Sequence, residues 1–312
     1  MIMKKIAIIS MIKNECDIIE LFLKVNFRIA DYIYIIDHQS NDGTTQLIQE
    51  FQRENVNLHI IDWADNEFRQ AAAISYVAQQ IAKLDIVDYI LPLDADEFIS
   101  SPDSLDVLDY LKNSLSINDF GIIPWHTYCP INDDFFKAKA PLHEIFRKRL
   151  NDPIPHFKVI LGNEFAKNCL LAEGNHFAYH ENIKSLPIRL NLSIQHVPIR
   201  STEQIIQKSL FGSYALSQKK NRFSNEGYHW DLMSDEIREK NYKLSFDDIN
   251  KFSLFYAVQP GTVFDTSLDL DGPKIGLDSD EIILKDFAHP NIVRAYDFLT
   301  LNLIKKIKSL DR

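Results

Sequence analysis

The first hundred residues alternate between short apolar runs and helical patterns, and this alternation restricts the possible fold more than any other feature. Four runs are typical of strands: 5–10 (KIAIIS), 32–37 (YIYIID), 56–61 and 88–93 (DYILPL). The apolar residues between them have helical spacing and predict helices over 17–30, around 47–51 and over 66–84. Strands that alternate with helices form a mostly parallel sheet covered on both faces. We therefore predict an α/β fold whose ligands bind beyond the carboxyl ends of the strands.

Composition restricts the class of partner. Of 312 residues, 46% are hydrophobic and 25% are charged, as in ordinary globular proteins. The 44 acidic and 34 basic residues give a net charge of -10, which is unfavourable for binding nucleic acid. The three cysteines have no spacing typical of a disulfide framework or a zinc site, so we expect a cytoplasmic protein.

The regular alternation ends near Gly121, and we predict three regions: 1–100, 101–225 and a mainly helical extension over 226–312. The middle region begins with a stretch rich in aromatic residues. Two interpretations of that stretch remain open: the acceptor side of a ligand-binding cleft, or a second hydrophobic core under loops. Its members are Trp125, His126, Tyr128, Pro130, Phe135, Phe136, Phe146, His156 and Phe157.

Two carboxylates follow the fourth predicted strand in the sequence Asp94-Ala95-Asp96-Glu97-Phe98. Side chains at i and i+2 share a face in extended structure, so they can converge on one divalent cation. The alternative is a solvated turn in which Asp96 or Glu97 caps a helix. No GxGxxG follows the first strand and no GxxxxGK[ST] occurs, which argues against a dinucleotide fingerprint and a P-loop.

Three segments resemble family 2 glycosyltransferases: MIKNE at 11–15, YIIDHQSNDGT at 34–44 and LPLDADEF at 91–98. The last is similar to that family's DxD motif, in a DADEF variant. The resemblance implies a GT-A fold, Rossmann-like with a mostly parallel sheet, and transfer of a sugar from a nucleotide diphosphate. It also implies site residues: Asn14, Glu15, Asp37 and Asp42 toward the nucleotide, and Asp94 and Asp96 toward the metal and phosphates.

Further positively charged residues are candidates for the phosphates. Arg69 lies at the start of the third predicted helix, where a cation and backbone donors can meet phosphate; it is equally consistent with a surface arginine. Residues 196–203 resemble an H-x-x-x-R-S-x-E element found downstream of the DxD in such enzymes. That resemblance implies that His196 completes the metal site and that Arg200, with Lys208, binds the diphosphate.

The general base is not identified by any motif. An inverting transfer needs a carboxylate to accept the proton of the acceptor hydroxyl. Glu173 is our candidate, because it precedes a histidine-bearing segment at a plausible distance after the DxD. Four other acids remain open: Glu97, Asp134, Glu144 and Glu181.

Two helices are predicted in the carboxyl-terminal region. One covers 232–257 and starts at Ser234 or Asp235. The other, 299–312, has an apolar stripe flanked by lysines. It either packs on the domain with its lysines outward or lies on an anionic membrane as a peripheral contact.

We therefore predict a glycosyltransferase that uses Mn2+ or Mg2+ and inverts configuration. Its donor is expected to be a UDP-sugar and its acceptor a glycan or glycolipid, in the biosynthesis of a polysaccharide. The alternatives are a GT-A-like sugar-binding protein without turnover and a sugar nucleotidyltransferase. The second should have a glycine-rich phosphate loop near the first strand, and MIKNE has none.

Overall fold

The computed structural model describes residues 5–63, 69–101, 106–130, 148–150, 156–182, 185–217, 219, 222, 227–256, 268–269 and 297. The strands are β1 (Ile6–Ile12), β2 (Tyr32–Asp37), β3 (Leu58–Asp62), β4 (Tyr89–Pro92), β5 (Glu97–Ser100), β6 (Phe120–Cys129), β7 (Lys148–Leu150), β8 (Phe157–Gly162), β9 (Cys169–Leu171), β10 (Ala178–His180), β11 (Ile188–Arg189), β12 (Ser193–His196) and β13 (Leu268–Asp269). The helices are α1 (Ile19–Asn26), α2 (Thr44–Glu54), α3 (Gln70–Leu84), α4 (Val107–Ser114), α5 (Asn163–Ala166), α6 (Thr202–Ser217), α7 (Tyr228–Glu239) and α8 (Phe246–Phe255).

The centre of the sheet is parallel. β1 lies between β4 and β2, β3 lies outside β2, and all three pairings are parallel. On the other side of β4 the sheet becomes antiparallel through β8 and β6. The predicted α/β fold with a mostly parallel central sheet is confirmed. The four predicted strands appear within two residues of their expected bounds.

A hydrophobic core covers each face of the sheet. Every residue of β1 is buried, as expected for a central strand covered on both sides. On one face, α1 contributes Phe22 and α4 contributes Leu111 to the core. On the other face, Ile74 and Ala78 of α3 pack with Phe165 of α5.

One strand links the distant part of the chain to the acidic motif. β12 pairs antiparallel with β5, which immediately follows Asp96, and parallel with β6. In this register His196 lies opposite Glu97. A residue one hundred positions downstream is thus placed beside the carboxylates.

The prediction of a single helix over 232–257 is wrong. α7 begins at Tyr228 and ends at Glu239, and α8 begins at Phe246. Asn241 and Tyr242 between them have φ of 51° and 60°, which are left-handed values that interrupt a right-handed helix. Ser234, predicted as a helix start, lies inside α7, where its hydroxyl donates to the carbonyl of Ser209.

Several predictions lie outside the described residues: the first turn of the third helix at 66–68, most of the aromatic stretch after 130, and the basic helix 299–312. The division into three regions stays a prediction. In the part of the chain that is described, no helix combines the length and apolar character needed to cross a membrane.

Candidate functional site

The loops after β1 and β2 are joined by hydrogen bonds from two predicted site residues. Asn14 donates its backbone N–H to Ser40 Oγ at 3.0 Å, and its Oδ1 accepts from the N–H of Asn41 at 2.8 Å. Asp42 Oδ2 accepts from the N–H of Cys16 at 3.1 Å. These side chains therefore shape the loop pair at the carboxyl edge of the sheet.

Asp37 and Glu15 belong to the same pair of loops. Asp37, at the end of β2, accepts from the N–H of Ser40 at 3.0 Å and from the hydroxyl of Thr45. Glu15 donates its backbone N–H to Thr44 Oγ1 at 2.9 Å. Its carboxylate contacts the distant Arg200.

Asp94 is the more exposed aspartate of the acidic motif, with 29% of its side chain accessible. Its two oxygens lie 2.7 Å from Gln70 Nε2 and 2.7 Å from Lys158 Nζ. Lys158, on β8, is 1% exposed and also lies 2.9 Å from Glu97 Oε1. The other oxygen of Glu97 accepts from the N–H of Asp94 at 3.0 Å. This lysine therefore neutralises the first half of the motif.

Asp96 is buried and faces a different set of side chains. Its Oδ2 lies 2.5 Å from Lys208 Nζ, 3.5 Å from Arg200 Nη1 and 3.6 Å from His196 Nε2. All three predicted partners of the diphosphate and metal therefore meet at one oxygen atom. The sequence elements at 94–97 and 196–208 form one site.

Arg200 links this site to the loop after β1. The buried guanidinium donates two hydrogen bonds to Asp17, at 2.7 Å and 3.0 Å, and a third to Glu15. A bidentate pair of this kind fixes orientation as well as charge. The predicted contact between Arg200 and a diphosphate stays a prediction, and the guanidinium already has carboxylate partners.

Burial and charge shift several pKa values in this cluster. Burial lowers the pKa of His196 to about 4, so the imidazole is neutral at pH 7. Burial alone would raise the pKa of Asp96, but Lys208, His196 and Arg200 hold it well below its usual range. Burial raises the pKa of Glu15 to about 7 and that of Glu97 to about 8, against the opposing effects of Arg200 and Lys158.

The fit of the site to a divalent cation is partial. The Asp96 and His196 atoms that face each other are 3.6 Å apart, close to the separation of ~3 Å expected for two ligands each ~2.1 Å from one metal. A neutral imidazole and an ionised carboxylate are suitable donors. Both oxygens of Asp94, however, are hydrogen-bonded to Gln70 and Lys158. Among the described residues, no three acidic, histidine or cysteine side chains converge as a metal site, so the triad of Asp94, Asp96 and His196 stays a prediction.

The two remaining candidates are Glu173, the predicted base, and Arg69, a predicted phosphate-binding residue. Glu173 lies on a short 3-10 turn, is 51% exposed and is 3.3 Å from Lys219 Nζ. Arg69 is exposed and precedes the first residue of α3. Both roles stay predictions. Of the alternative bases, Glu97 is fully buried against Lys158, and Asp134 and Glu144 lie outside the described residues.

Sequence reasoning missed Lys158, Gln70 and the role of Asp17. The sequence does contain an indication of the role of Lys158. This lysine stands in the mostly apolar run HFKVILG, and a charge that is buried with such a run needs a partner of opposite charge. Asp17 is the first residue of the helix predicted over 17–30; in the structure it precedes α1, and its carboxylate accepts hydrogen bonds from Arg200. Gln70 carried no signal, since a glutamine at the start of a helix is common.

Trp125 lies against the same cluster. Its ring centroid is 4.1 Å from that of His196 and 5.3 Å from that of His176, and Lys158 Nζ lies 5.8 Å from its ring. The ring of His156 lies 5.6 Å away. An aromatic group therefore borders the acidic motif, at the start of the predicted aromatic stretch.

The part of the chain that carries the acidic motif matches a known family. The sequence model described as "Glycosyl transferase family 2" matches residues 7–155. Over those residues, the chain is similar to family 2 glycosyltransferases. The match includes the loops after β1 and β2 and the acidic motif. Lys158, His196, Arg200 and Lys208 follow the matched segment and complete the site from outside it.

Three solved structures are similar to this chain at low identity. S. aureus TarS 1-349 has 17% identity and a TM-score of 0.35, with 80% of this chain and 74% of that chain covered. GalNAc-T7 with UDP, GalNAc and Mn2+ has 10% identity and a TM-score of 0.41, with 80% and 56% covered. The mannosyltransferase PcManGT from Pyrobaculum calidifontis, in complex with GDP-Man and Mn2+, has 12% identity and a TM-score of 0.33, with 81% and 69% covered. A comparison with curated protein sequences finds no match.

Proposed function

We propose that this glycosyltransferase moves a sugar from a nucleotide diphosphate, preferably a UDP-sugar, to a glycan or glycolipid hydroxyl with inversion and with the help of Mn2+ or Mg2+. The observation that carries the proposal is the meeting of Asp96, His196 and Lys208 at the carboxyl edge of the sheet. This edge is where open α/β sheets bind ligands. A buried acid, a neutral imidazole and a partly exposed amine there suit a cation and a phosphate.

Each charged residue of the site has its own role in the proposed reaction. Asp96 and His196 would hold the divalent cation, which when bound neutralises charge on the diphosphate leaving group. Lys208, 23% exposed, can reach phosphate oxygens. Asp94 is held in one orientation by Gln70 and Lys158 and keeps 29% of its surface for the donor. Arg200 holds the loop after β1 against the site.

In the proposed reaction, the acceptor oxygen forms a bond to the anomeric carbon as the bond to the diphosphate oxygen breaks. A carboxylate accepts the acceptor's proton, and Glu173 is our candidate for it. Trp125 offers an aromatic edge beside the acidic motif for packing against a sugar. We expect the reaction in the cytoplasm, and we propose that the helix predicted over 299–312 makes a peripheral membrane contact.

The first experiment measures donor and metal binding together. Thermal unfolding is followed with UDP, GDP, CMP and dTDP, each with Mn2+, Mg2+ or EDTA. A ligand that binds only the folded state stabilises by about 2.7 kcal/mol at a hundredfold excess over its Kd. We expect one nucleotide to stabilise the protein in the presence of metal and not in EDTA. Asp96→Ala should remove the effect, and Asp235→Ala, at an exposed site on α7, should keep it.

The results separate the alternatives. Stabilisation by a nucleotide with no hydrolysis or transfer of its sugar to any added glycan would indicate a sugar-binding protein without turnover. No response to any nucleotide under any metal condition would contradict the donor proposal. Near-normal turnover in Glu173→Gln would exclude Glu173 as the base.

A further inference from the structure

Each aspartate of the acidic motif has its own lysine, and the two lysines differ. Lys158 is 1% exposed and bridges Asp94 and Glu97, so its ammonium is held between two buried or half-buried carboxylates. Lys208 is 23% exposed and extends from α6 to Asp96 Oδ2. A lysine has a flexible four-carbon stem, so the ammonium of Lys208 is free to move in a way that the enclosed one is not.

The ammonium of Lys208 and a divalent cation compete for the same atom. Asp96 Oδ2 is 2.5 Å from Lys208 Nζ and 3.6 Å from His196 Nε2. A metal bound by Asp96 and His196 would lie ~2.1 Å from that oxygen. Its double positive charge would repel an ammonium held at the same place, so both cannot occupy it. Arg200 Nη1 also lies 3.5 Å from that oxygen, but Asp17 and Glu15 hold its guanidinium in place, so Lys208 is the cation that can move away.

We propose that Lys208 is an exchangeable counter-ion of Asp96. In the metal-free protein its ammonium neutralises the buried carboxylate. When a divalent cation binds Asp96 and His196, the ammonium leaves that oxygen and binds the diphosphate of the incoming donor. The exchange rests on the proposed function. It adds that Lys208 weakens the binding of the metal alone and strengthens the binding of the nucleotide once the metal is bound.

The test compares Lys208→Met with the wild type for Mn2+ alone, from the electron paramagnetic resonance signal of free Mn2+. Removing the competing ammonium should tighten Mn2+ binding by about tenfold, the equivalent of ~1.4 kcal/mol. Lys251→Met is the matched control: it removes one positive charge from an exposed pair with Glu236 on α7. Its Mn2+ affinity should equal that of the wild type. Lys208→Gln provides a second neutral variant if Lys208→Met does not fold.

A second measurement, of nucleotide affinity, should show a change in the opposite direction. With saturating Mn2+, UDP and GDP are titrated by calorimetry. Lys208→Met should bind the nucleotide that the wild type prefers about tenfold more weakly, because the diphosphate loses a cationic partner. Tighter Mn2+ binding combined with weaker nucleotide binding is the signature of exchange, since a lysine with a purely structural role would change both affinities in the same direction.

Any other combination of Mn2+ and nucleotide affinities contradicts the proposed exchange. Unchanged or weaker Mn2+ binding in Lys208→Met would show that the ammonium does not compete with metal. Tighter Mn2+ binding with unchanged nucleotide affinity would show that the ammonium does not move to the diphosphate. In both cases a wild type that binds nucleotide with Mn2+ leaves the proposed function intact. A wild type that binds neither nucleotide would contradict the proposed function separately.

Discussion

Arg200 and Asp17 form a buried ion pair between residues 183 positions apart. The guanidinium is fully buried and the carboxylate is nearly so. Taking two charges out of water is costly, and it is tolerated only when hydrogen bonds satisfy both groups. This pair therefore stabilises one arrangement of the loop after β1 relative to the segment before α6, and removing either partner leaves the other buried charge without its bidentate partner.

Asp17→Asn should lower the free energy of unfolding by about 3 kcal/mol, because a buried arginine loses its bidentate partner. Urea denaturation monitored by fluorescence measures the change. Glu20→Gln is the control, since Glu20 forms an exposed pair with Lys24 at 2.8 Å in α1 and should cost under ~0.5 kcal/mol. Equal costs for the two variants would show that the Asp17 pair contributes no more than a surface pair.

Lys158 gives a second prediction at this scale. Lys158→Met leaves Asp94 and Glu97 without their shared cation and should cost about 3 kcal/mol. The double variant Lys158→Met with Glu97→Gln also removes one of the buried charges, so its cost should be smaller than the sum of the two single costs. A double-mutant cycle from urea denaturation measures this coupling energy. Strictly additive costs would contradict the ion pair between β8 and the acidic motif.

The break between α7 and α8 shows how a short local motif decides an element. Ser245 precedes α8, and its Oγ accepts from the N–H of Asp248 at 3.3 Å. Asp248 in turn accepts from the N–H of Ser245 at 2.8 Å. This is the reciprocal pattern of a capping box, with an aspartate in the third position of the helix. It starts a new helix where the apolar periodicity alone predicted a continuous one.

Ser245→Ala should destabilise the protein by about 1 kcal/mol, because an N-terminal backbone donor of α8 loses its acceptor. Thermal unfolding in a calorimeter, which also gives the unfolding enthalpy, measures this change in the free energy of unfolding. Asp247→Ala is a suitable comparison, since Asp247 is exposed in the same first turn and acts there only through the helix dipole. A larger cost for Asp247→Ala than for Ser245→Ala would contradict the capping role.

The sequence predicted the parallel half of the fold well because local patterns determine it. β1 and β2 are apolar runs rich in isoleucine, β4 is the apolar run Tyr-Ile-Leu-Pro, and polar residues at their carboxyl ends mark the site edge. The acidic motif and its link with His196 were predicted from these ends and from the family resemblance. The antiparallel half could not be predicted, because β8 and β12 acquire their positions from pairing with strands far away in the chain. Lys158 and Asp17 were missed for the same reason: their partners are distant.

At the scale of the whole molecule, three histidines with lowered pKa values couple stability to pH. Burial lowers the pKa of His176, His196 and His229 to about 4 each. In the unfolded chain they take up protons near pH 6.5. The unfolded state thus binds more protons than the folded state between pH 6.5 and 4, and the free energy of unfolding falls as the pH decreases through this window.

His176→Asn should reduce this acid sensitivity. The asparagine amide can replace Nδ1, which donates to the carbonyl of Phe157 at 2.7 Å, and it does not titrate. The slope of unfolding free energy against pH should become smaller by up to ~1.4 kcal/mol per pH unit between pH 6 and 5. Urea denaturation across this range gives the slope. The slopes of variant and wild type should coincide above pH 7.5, and identical slopes below pH 6.5 would contradict a neutral buried His176.

The pairing of β12 with β5 has a consequence for the order in which the protein folds. The two strands are about one hundred residues apart along the chain, and His196 lies opposite Glu97 only once both are in place. Such non-local contacts form late, because closing a long loop costs entropy before any contact compensates for it. During synthesis, the carboxylates of the acidic motif leave the ribosome well before Lys158, Arg200 and Lys208. We infer that the parallel sheet forms first with these acids hydrated at its edge, and that the site closes only when the basic side chains arrive.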